Sequence, residues 1–287
     1  MTEPTVLAIP FFIGSMAIEA WVLSRRQHGY ELKDWAASLS GGLGSLVVNG
    51  ALKGALFAWY TFLSRYAVWN PGAGVLGWVL LVLCEDLCYY AYHRASHEVR
   101  FLWSSHVVHH SSERYTLGTA LRQSWTAGFV HFAFWSPLPL LGFAPENIML
   151  MSSFSLLYQY WIHTETIGKL GPIEWIFNTP SHHRVHHGSN PQYLDRNHAG
   201  ILIVWDRLFG TFEPEGEKVV YGLTKPVKSY NPVWIQVHEM FAIGRDVLRA
   251  RSVGDAWRAL VSMKGSGGAM EDAGVSAGMT PRADRAA

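Results

Sequence analysis

Val75-Leu-Gly-Trp-Val-Leu-Leu-Val-Leu-Cys-Glu-Asp86-Leu-Cys-Tyr-Tyr-Ala-Tyr-His93-Arg-Ala-Ser-His97 starts as an apolar run of bilayer length and ends in two histidines four residues apart. The run 75–92 is close to the roughly 20 residues that cross a hydrocarbon core as a helix. On a helix, positions three or four apart share a face, so His93 and His97 aim at one point. Asp86 and Tyr89 or Tyr90 recur at helical spacing beneath them, and an acid inside an apolar helix is expensive and needs a reason. A carboxylate that accepts the far N–H of a ligating imidazole fixes its tautomer and raises its basicity, which makes Asp86 a candidate support for metal ligands. Local capping, or pairing with Arg94, is the alternative reading for Asp86 and for Glu85. Glu165, Asp206, Asp195 and Asn197 are further candidates for the supporting role.

Outward from this segment the histidines continue. His106, His109 and His110 form H-x-x-H-H, and His182, His183, His186 and His187 form H-H-x-x-H-H, with His163 between. Ten of the fourteen histidines thus fall into a metal-ligand pattern. Four ligands close a structural zinc site and three leave a catalytic zinc open, so a cluster of this size points to two ions held together. Imidazole suits iron, copper, nickel and zinc alike, and ligand type alone does not choose among them. Cys84 and Cys88 both lie inside the apolar run, and no Glu-x-x-His pair of the ferritin-like kind is present. A metal-scavenging tract or tag is disfavoured, because apolar residues stand in register between the histidines. His28, His131 and His238 read as ordinary core or surface histidines, while His198 stays open between ligand and core. Catalytic residues other than the ligands are not evident from the pattern.

The chain is 49% apolar and only 16% charged, with thirteen tryptophans and twelve tyrosines, which is the composition of an integral membrane protein. Five apolar stretches cover 5–23, 43–63, 75–92, 127–143 and 148–162. The last two are joined by Gly142-Phe143-Ala144-Pro145-Glu146-Asn147 and form a hairpin that either spans tightly or dips in and returns. Either way the chain comes back to the side it left, so all the histidine groups share one membrane face. That face also receives Arg25, Arg26, Lys33, Arg245, Arg249, Arg251 and Arg258, against Arg65 alone between the second and third stretches. The positive-inside bias makes it cytoplasmic, with the N-terminus outside and the C-terminus inside. The expected fold is an all-α integral membrane helical bundle of about four to five transmembrane or hairpin helices, with a cytosolic helical cap holding the dimetal site. Residues 1–74 are expected to form N-terminal transmembrane helices, 75–240 the catalytic domain, and 241–287 a tail that is disordered from about 264.

The first stretch lacks the basic n-region of a cleavable signal. A formal charge of +1 argues against bulk nucleic-acid binding, and no Gly-rich nucleotide fingerprint is present. Arg94, Arg114, Arg122 and Arg184 sit near the histidines, either to bind anionic head groups or as ordinary interfacial residues.

The ordered set His93-x-x-x-His97, His106-x-x-His109-His110 and His183-x-x-His186-His187, flanking a hydrophobic hairpin, resembles the fatty acid hydroxylase/sterol desaturase superfamily of membrane di-iron oxygenases. His93-Arg-Ala-Ser-His-Glu98, His106-Val-Val-His-His-Ser-Ser-Glu113, Thr119-Ala-Leu-Arg-Gln-Ser124, His163-Thr-Glu165, Phe177-Asn-Thr-Pro-Ser-His-His-Arg-Val-His-His-Gly188 and Trp205-Asp-Arg-Leu-Phe-Gly-Thr-Phe212 look like its alkylglycerol monooxygenase branch. The likeness covers roughly residues 77–230. It implies a lipid hydroxylase that uses two Fe ions and O2, with His93, His97, His106, His109, His110, His163, His183, His186 and His187 as ligands and His182 beside them. It further implies a lipid substrate drawn from the bilayer and a separate reductase or electron-transfer protein. No haem or flavin motif is present, so the electrons come from an external donor such as a ferredoxin, a cytochrome or tetrahydrobiopterin.

Sterol or lipid C–C desaturases and carotenoid ring hydroxylases share the same boxes. Returning a hydroxyl after hydrogen removal gives an alcohol, whereas removing a second hydrogen gives an alkene, so substrate placement separates the two outcomes. A membrane zinc hydrolase is disfavoured because His97-Glu98 is followed by Val-Arg-Phe without the second histidine of H-E-x-x-H. A metal transporter would carry its ligands at mid-membrane on broken helices, not at the ends of stretches. The topology is tested by a reporter fused after Leu260, which is expected to be active only in the cytoplasm; activity only outside it overturns the orientation.

Overall fold

Apolar runs punctuated by proline and glycine become helices in the computed structural model, which describes residues 4–25 and 31–262. A helical turn at Pro4–Leu7 leads into α1 (Ile9–Arg25), α2 (Leu32–Ser64), α3 (Val75–Glu98), α4 (Arg100–His110), α5 (Gly128–Trp135), α6 (Pro137–Leu140) and α7 (Pro145–Trp161). Then come α8 (Pro180–His186), α9 (Val204–Phe209), α10 (Pro232–Leu248) and α11 (Val253–Val261), with 3-10 turns at Leu117–Leu121 and Gly171–Trp175. Among the described residues there is no strand, only isolated bridges between Phe177 and Leu202 and between Gly188 and Tyr221. The chain is all-α. Arg26, His28 and the tail beyond 262 lie outside the described residues.

Among the described residues two helices are long and apolar enough to cross a membrane, α2 with 33 residues and α3 with 24. At 1.5 Å per residue they run about 50 Å and about 36 Å, longer than a hydrocarbon core of about 30 Å. Leu43, Leu46, Val47, Phe57, Trp59 and Phe62 stand exposed along α2, the outward surface of a helix whose solvent is lipid rather than water. The helix reaches eleven residues further back than its apolar stretch, to Leu32, and this extension buries Asp34 and Ser38. In the same way α3 outlasts its apolar run, so His93 and His97 ride on its last two turns.

The expected hairpin arm 127–143 is not one helix. Pro137 has no N–H to continue a helix and begins a new one, so the arm is split into α5, of eight residues, and α6, of four. About 12 Å of α5 is too short to span. The return arm α7 keeps 17 residues in one piece. At the hairpin tip Gly142 adopts φ +86°, and a Cβ there would fall 2.0 Å from the Trp69 carbonyl oxygen, while Val68 N–H donates to Leu140 O at 2.9 Å. The loop after α2 is thereby clasped against the tip of the hairpin.

Tyr60, Leu81, Tyr92, Trp135, Leu138, Phe143, Ile148 and Met151 form the buried core where α2, α3 and the hairpin meet. Beyond the histidine end of α3, α4 turns back at Val99, and α10 packs on α4, α11 and α2 around Ala37, Val108 and Ile235. Gly142→Ala is expected to lower stability by about 1–3 kcal/mol, the usual cost of forcing a side chain into left-handed backbone. Gly50→Ala in α2, where a Cβ meets nothing within 4 Å, is the control and should leave stability equal or higher. Thermal unfolding of both variants in the same detergent checks the pair of signs.

Candidate metal centre

Nine histidines converge from α3, α4, α8 and the segment after α7 into two adjoining groups. His93, His97, His106, His110 and His186 form one; His109, His163, His183 and His187 form the other; within each, the ligand atoms lie within 4.8 Å of one another. The split follows from helix geometry. Consecutive residues on a helix are about 100° apart, so the doublets His109-His110 and His186-His187 cannot aim at one point. Each doublet straddles the two groups and ties them together.

The ring nitrogens confront one another at close range. His93 Nε2 is 2.9 Å from His106 Nε2, and His110 Nε2 is 3.1 Å from the same atom. In the second group His163 Nε2 lies 3.1 Å from His109 Nε2 and 3.0 Å from His183 Nε2. Two nitrogens bound at right angles to one ion at 2.0–2.1 Å are about 2.9 Å apart.

The outer nitrogens settle which tautomer is present. His93 Nδ1–H donates to His198 O at 2.7 Å, His163 Nδ1–H to Gln159 O at 2.7 Å, His186 Nδ1–H to Arg196 O at 3.0 Å and His109 Nδ1–H to Arg122 O at 3.3 Å. A carbonyl only accepts, so the proton sits on Nδ1 and Nε2 presents a lone pair. His109 and His163 therefore face each other lone pair to lone pair. Burial holds both neutral, pushing His109 down to about 4 and His163 well below the ordinary imidazole value. Desolvation likewise lowers His110, His183, His186 and His187 well below that value, with the neighbouring histidines adding to it. Nε2 of His186 and of His187 is buried without a hydrogen-bond partner. Mutually facing neutral lone pairs in a dry interior are stabilised by cations, and an all-nitrogen donor set of five and four fits a pair of transition-metal ions.

Several sequence-derived assignments are corrected. His182 faces Phe212, ring centroids 5.4 Å apart, and joins neither group. Asp86 touches no imidazole; it accepts from Ile201 N at 2.7 Å, Leu202 N at 2.9 Å and Trp205 Nε1 at 3.0 Å. It lies seven residues before His93, about 10 Å along the helix, too far to reach the ring. Asp206 accepts from His198 N, Ala199 N and Thr211 Oγ1, and Glu165 from Tyr221 Oη, so neither bonds a clustered histidine. Asp86 and Asp206 instead pin the loop whose His198 carbonyl orients His93. The carboxylate that does meet a clustered ring is Asp195, its Oδ1 3.1 Å from His97 Nδ1. His198 contributes its carbonyl, and His131 stacks on Trp135 away from both groups.

Glu85 bonds Trp135 Nε1 rather than Arg94, which pairs with Glu98. Arg122 and Arg184 are not head-group ligands: Arg122 is buried against Asp34 at 2.8 Å, and Arg184 grips both oxygens of Glu215 at 2.6 and 2.7 Å. The main-chain acceptors at Arg122, Gln159, Arg196 and His198 carry no sequence signal.

Because the folded state keeps these imidazoles neutral, the unfolded chain binds more protons below pH 6.5, and stability falls as pH drops from about 6.5 toward 4. The chelated protein is expected to unfold at a lower temperature at pH 5.0 than at pH 7.5. An unchanged midpoint removes the buried-neutral assignment.

Residues 78–211, which contain all nine clustered histidines, match the fatty acid hydroxylase family. The alkylglycerol monooxygenase of Homo sapiens is 45% identical over 242 residues, covering 82% of this chain and 54% of the human protein. That of Danio rerio is 45% identical over 235 residues, 79% and 51% of the two chains. The ornithine lipid hydroxylase of Rhizobium tropici is 32% identical over 151 residues, 51% and 45%. The chain spans about half the length of the alkylglycerol monooxygenases it matches. No solved structure matches it. The segment that builds the paired histidine groups, residues 78–211, is a fatty acid hydroxylase family domain.

Proposed function

We propose that this chain is a membrane-bound, O2-dependent oxidoreductase that hydroxylates an unactivated C–H bond of a lipid. Its two irons would be held by His93, His97, His106, His110 and His186 and by His109, His163, His183 and His187. The observation that carries the reading is the division of nine imidazoles, eight of them buried, into two adjoining groups inside a fatty acid hydroxylase domain. When bound, the irons supply O2 activation and C–H oxidation, chemistry no side chain here performs alone.

The protein's own part is orientation and exclusion of water. Nδ1–H donation to four fixed carbonyls holds the rings in one tautomer. Trp103 lies against His97 and His110, with centroids 5.3 and 5.6 Å away, and Tyr115 against His187 and His163 at 5.1 and 5.7 Å, so aromatic walls flank both groups. The substrate we assign is an ether lipid of the alkylglycerol class, on the strength of relatives 44–45% identical that bear that name. It would approach from the bilayer, beneath a cytoplasmic cap on a multi-pass membrane anchor. Electrons would come from a separate reductase, ferredoxin, cytochrome or tetrahydrobiopterin.

Lipid mass spectrometry on cells given an alkylglycerol, comparing the wild type with His109→Ala, tests the reading. The wild type is expected to convert the ether lipid to an aldehyde or to a product with one added oxygen, and His109→Ala to lose more of that activity than the roughly 10–100-fold that removal of a ligand's outer partner costs. A product lacking two hydrogens makes the enzyme a desaturase. An iron-loaded wild type that leaves alkylglycerol untouched with O2 and each of these electron donors supplied in turn overturns the substrate assignment.

A further inference from the structure

The two histidine groups take their orientation from different parts of the chain. For the five-histidine group the acceptors come from one short loop. Asp195 Oδ1 meets His97 Nδ1 at 3.1 Å, Arg196 O accepts from His186 at 3.0 Å, and His198 O accepts from His93 at 2.7 Å. Three residues of the stretch 195–198 thus aim three of the five rings. The loop reaches this shape through left-handed backbone at Asp195 (φ 57°) and Asn197 (φ 56°), a region that Asp and Asn tolerate better than most residues. Asn197 is fully buried, and its side chain accepts from Glu213 N at 2.9 Å while donating to Glu213 O at 2.8 Å and His182 O at 3.1 Å.

None of that loop supports the rings of the four-histidine group. His109 and His163 donate to Arg122 O and Gln159 O. Arg122 is fixed from behind by α2, with Nη1 2.8 Å from Asp34 Oδ1 and 3.2 Å from Ser38 Oγ, and Asp34 Oδ2 also accepts from Ser112. Glu19 of α1 is buried and accepts from Leu117 N at 2.7 Å and from the hydroxyl of Thr164, the residue after His163. Glu19 and Asp34 lie outside 78–211, in the two N-terminal helices.

We propose that Asp34 and Glu19 are positioning residues for the four-histidine metal position, that Asp195 and Asn197 are positioning residues for the five-histidine position, and that the two positions can be emptied separately. The inference rests on the ligand assignment above, which the wild-type metal count tests on its own. In this arrangement α1 and α2 are more than a membrane anchor. They complete a metal position that the matched domain orients only in part.

The experiment uses full-length protein in detergent, loaded with Fe(II) against a graded chelator and assayed for bound iron per chain. About two irons are expected in the wild type, and a different count defeats the ligand assignment rather than this inference. Asn197→Ala and Asp34→Asn are each expected to weaken one position about 10–100-fold, so that near the wild-type threshold each retains about one iron. Which iron is lost is read by pairing with ligand removal. Asp34→Asn added to His183→Ala should cost no further metal, whereas Asp34→Asn added to His97→Ala should leave the chain nearly empty; Asn197→Ala should behave in the opposite way. Asp195→Asn, which keeps an oxygen acceptor for His97 and tolerance of left-handed backbone, should retain the second iron where Asp195→Ala loses it, and a loss caused by general loosening would not be spared so selectively. Asp195→Ala takes the place of Asn197→Ala if that variant does not fold. Retention of both irons in the single variants, or loss of both together in either, overturns the proposal.

Discussion

Nine imidazoles packed nitrogen against nitrogen, eight of them buried, are the constraint around which this molecule is arranged. A lone pair facing another at about 3 Å is unfavourable in any medium, and burial removes the ordinary relief of protonating one ring. Cations bound between them turn that repulsion into coordination. The surroundings hold the rings ready for it: carbonyl acceptors keep the proton of four rings on the outer nitrogen, and Trp103 and Tyr115 lie against the rings as buried walls.

Keeping such a cluster folded demands support from polar groups that are themselves buried. Arg122 against Asp34 is an ion pair out of water, and pairs of this kind add little net stability while costing heavily when one partner is removed. Its value here is geometric, because the carbonyl of that arginine meets His109. Arg184 does similar work on the other side. It grips Glu215 and donates to the carbonyls of Thr164 and Ile167, so the loop after His163 and the helix carrying His183 move as one piece.

Much of this was legible in the sequence, and unevenly so. Histidine spacing on helices identified the converging rings, because side-chain periodicity is a local property that neighbours cannot conceal. The doublets at 109–110 and 186–187 even carry the division into two groups, since adjacent helical residues diverge. What spacing could not reveal was the set of acceptors. Four are backbone carbonyls, which every residue owns; the fifth, Asp195, stood only among several further candidates, because its side chain is 44% exposed in an irregular turn that periodicity does not describe. Asp86 misled for a related reason: it shares a helix face with His93, but sharing a face is not reaching, and the loop at 201–205 supplies nearer donors. The hairpin arm at 127–143 misled because apolarity is continuous there while Pro137 is not compatible with a continuous helix.

The uninterrupted course of α3 also acts as a ruler. His93 lies eighteen residues beyond Val75, about 27 Å along the axis, against a hydrocarbon core of about 30 Å. If α3 crosses the bilayer from Val75, as the proposed function requires, the rings would stand at the depth where acyl chains give way to head groups, with the far tips of those chains about 15 Å below, at the midplane. A lipid resting in its own leaflet already presents the carbons beside its head group at that height. For the lipid substrate proposed, the bonds in reach would be those near its backbone, and its tail would need no extraction from the membrane to leave them there.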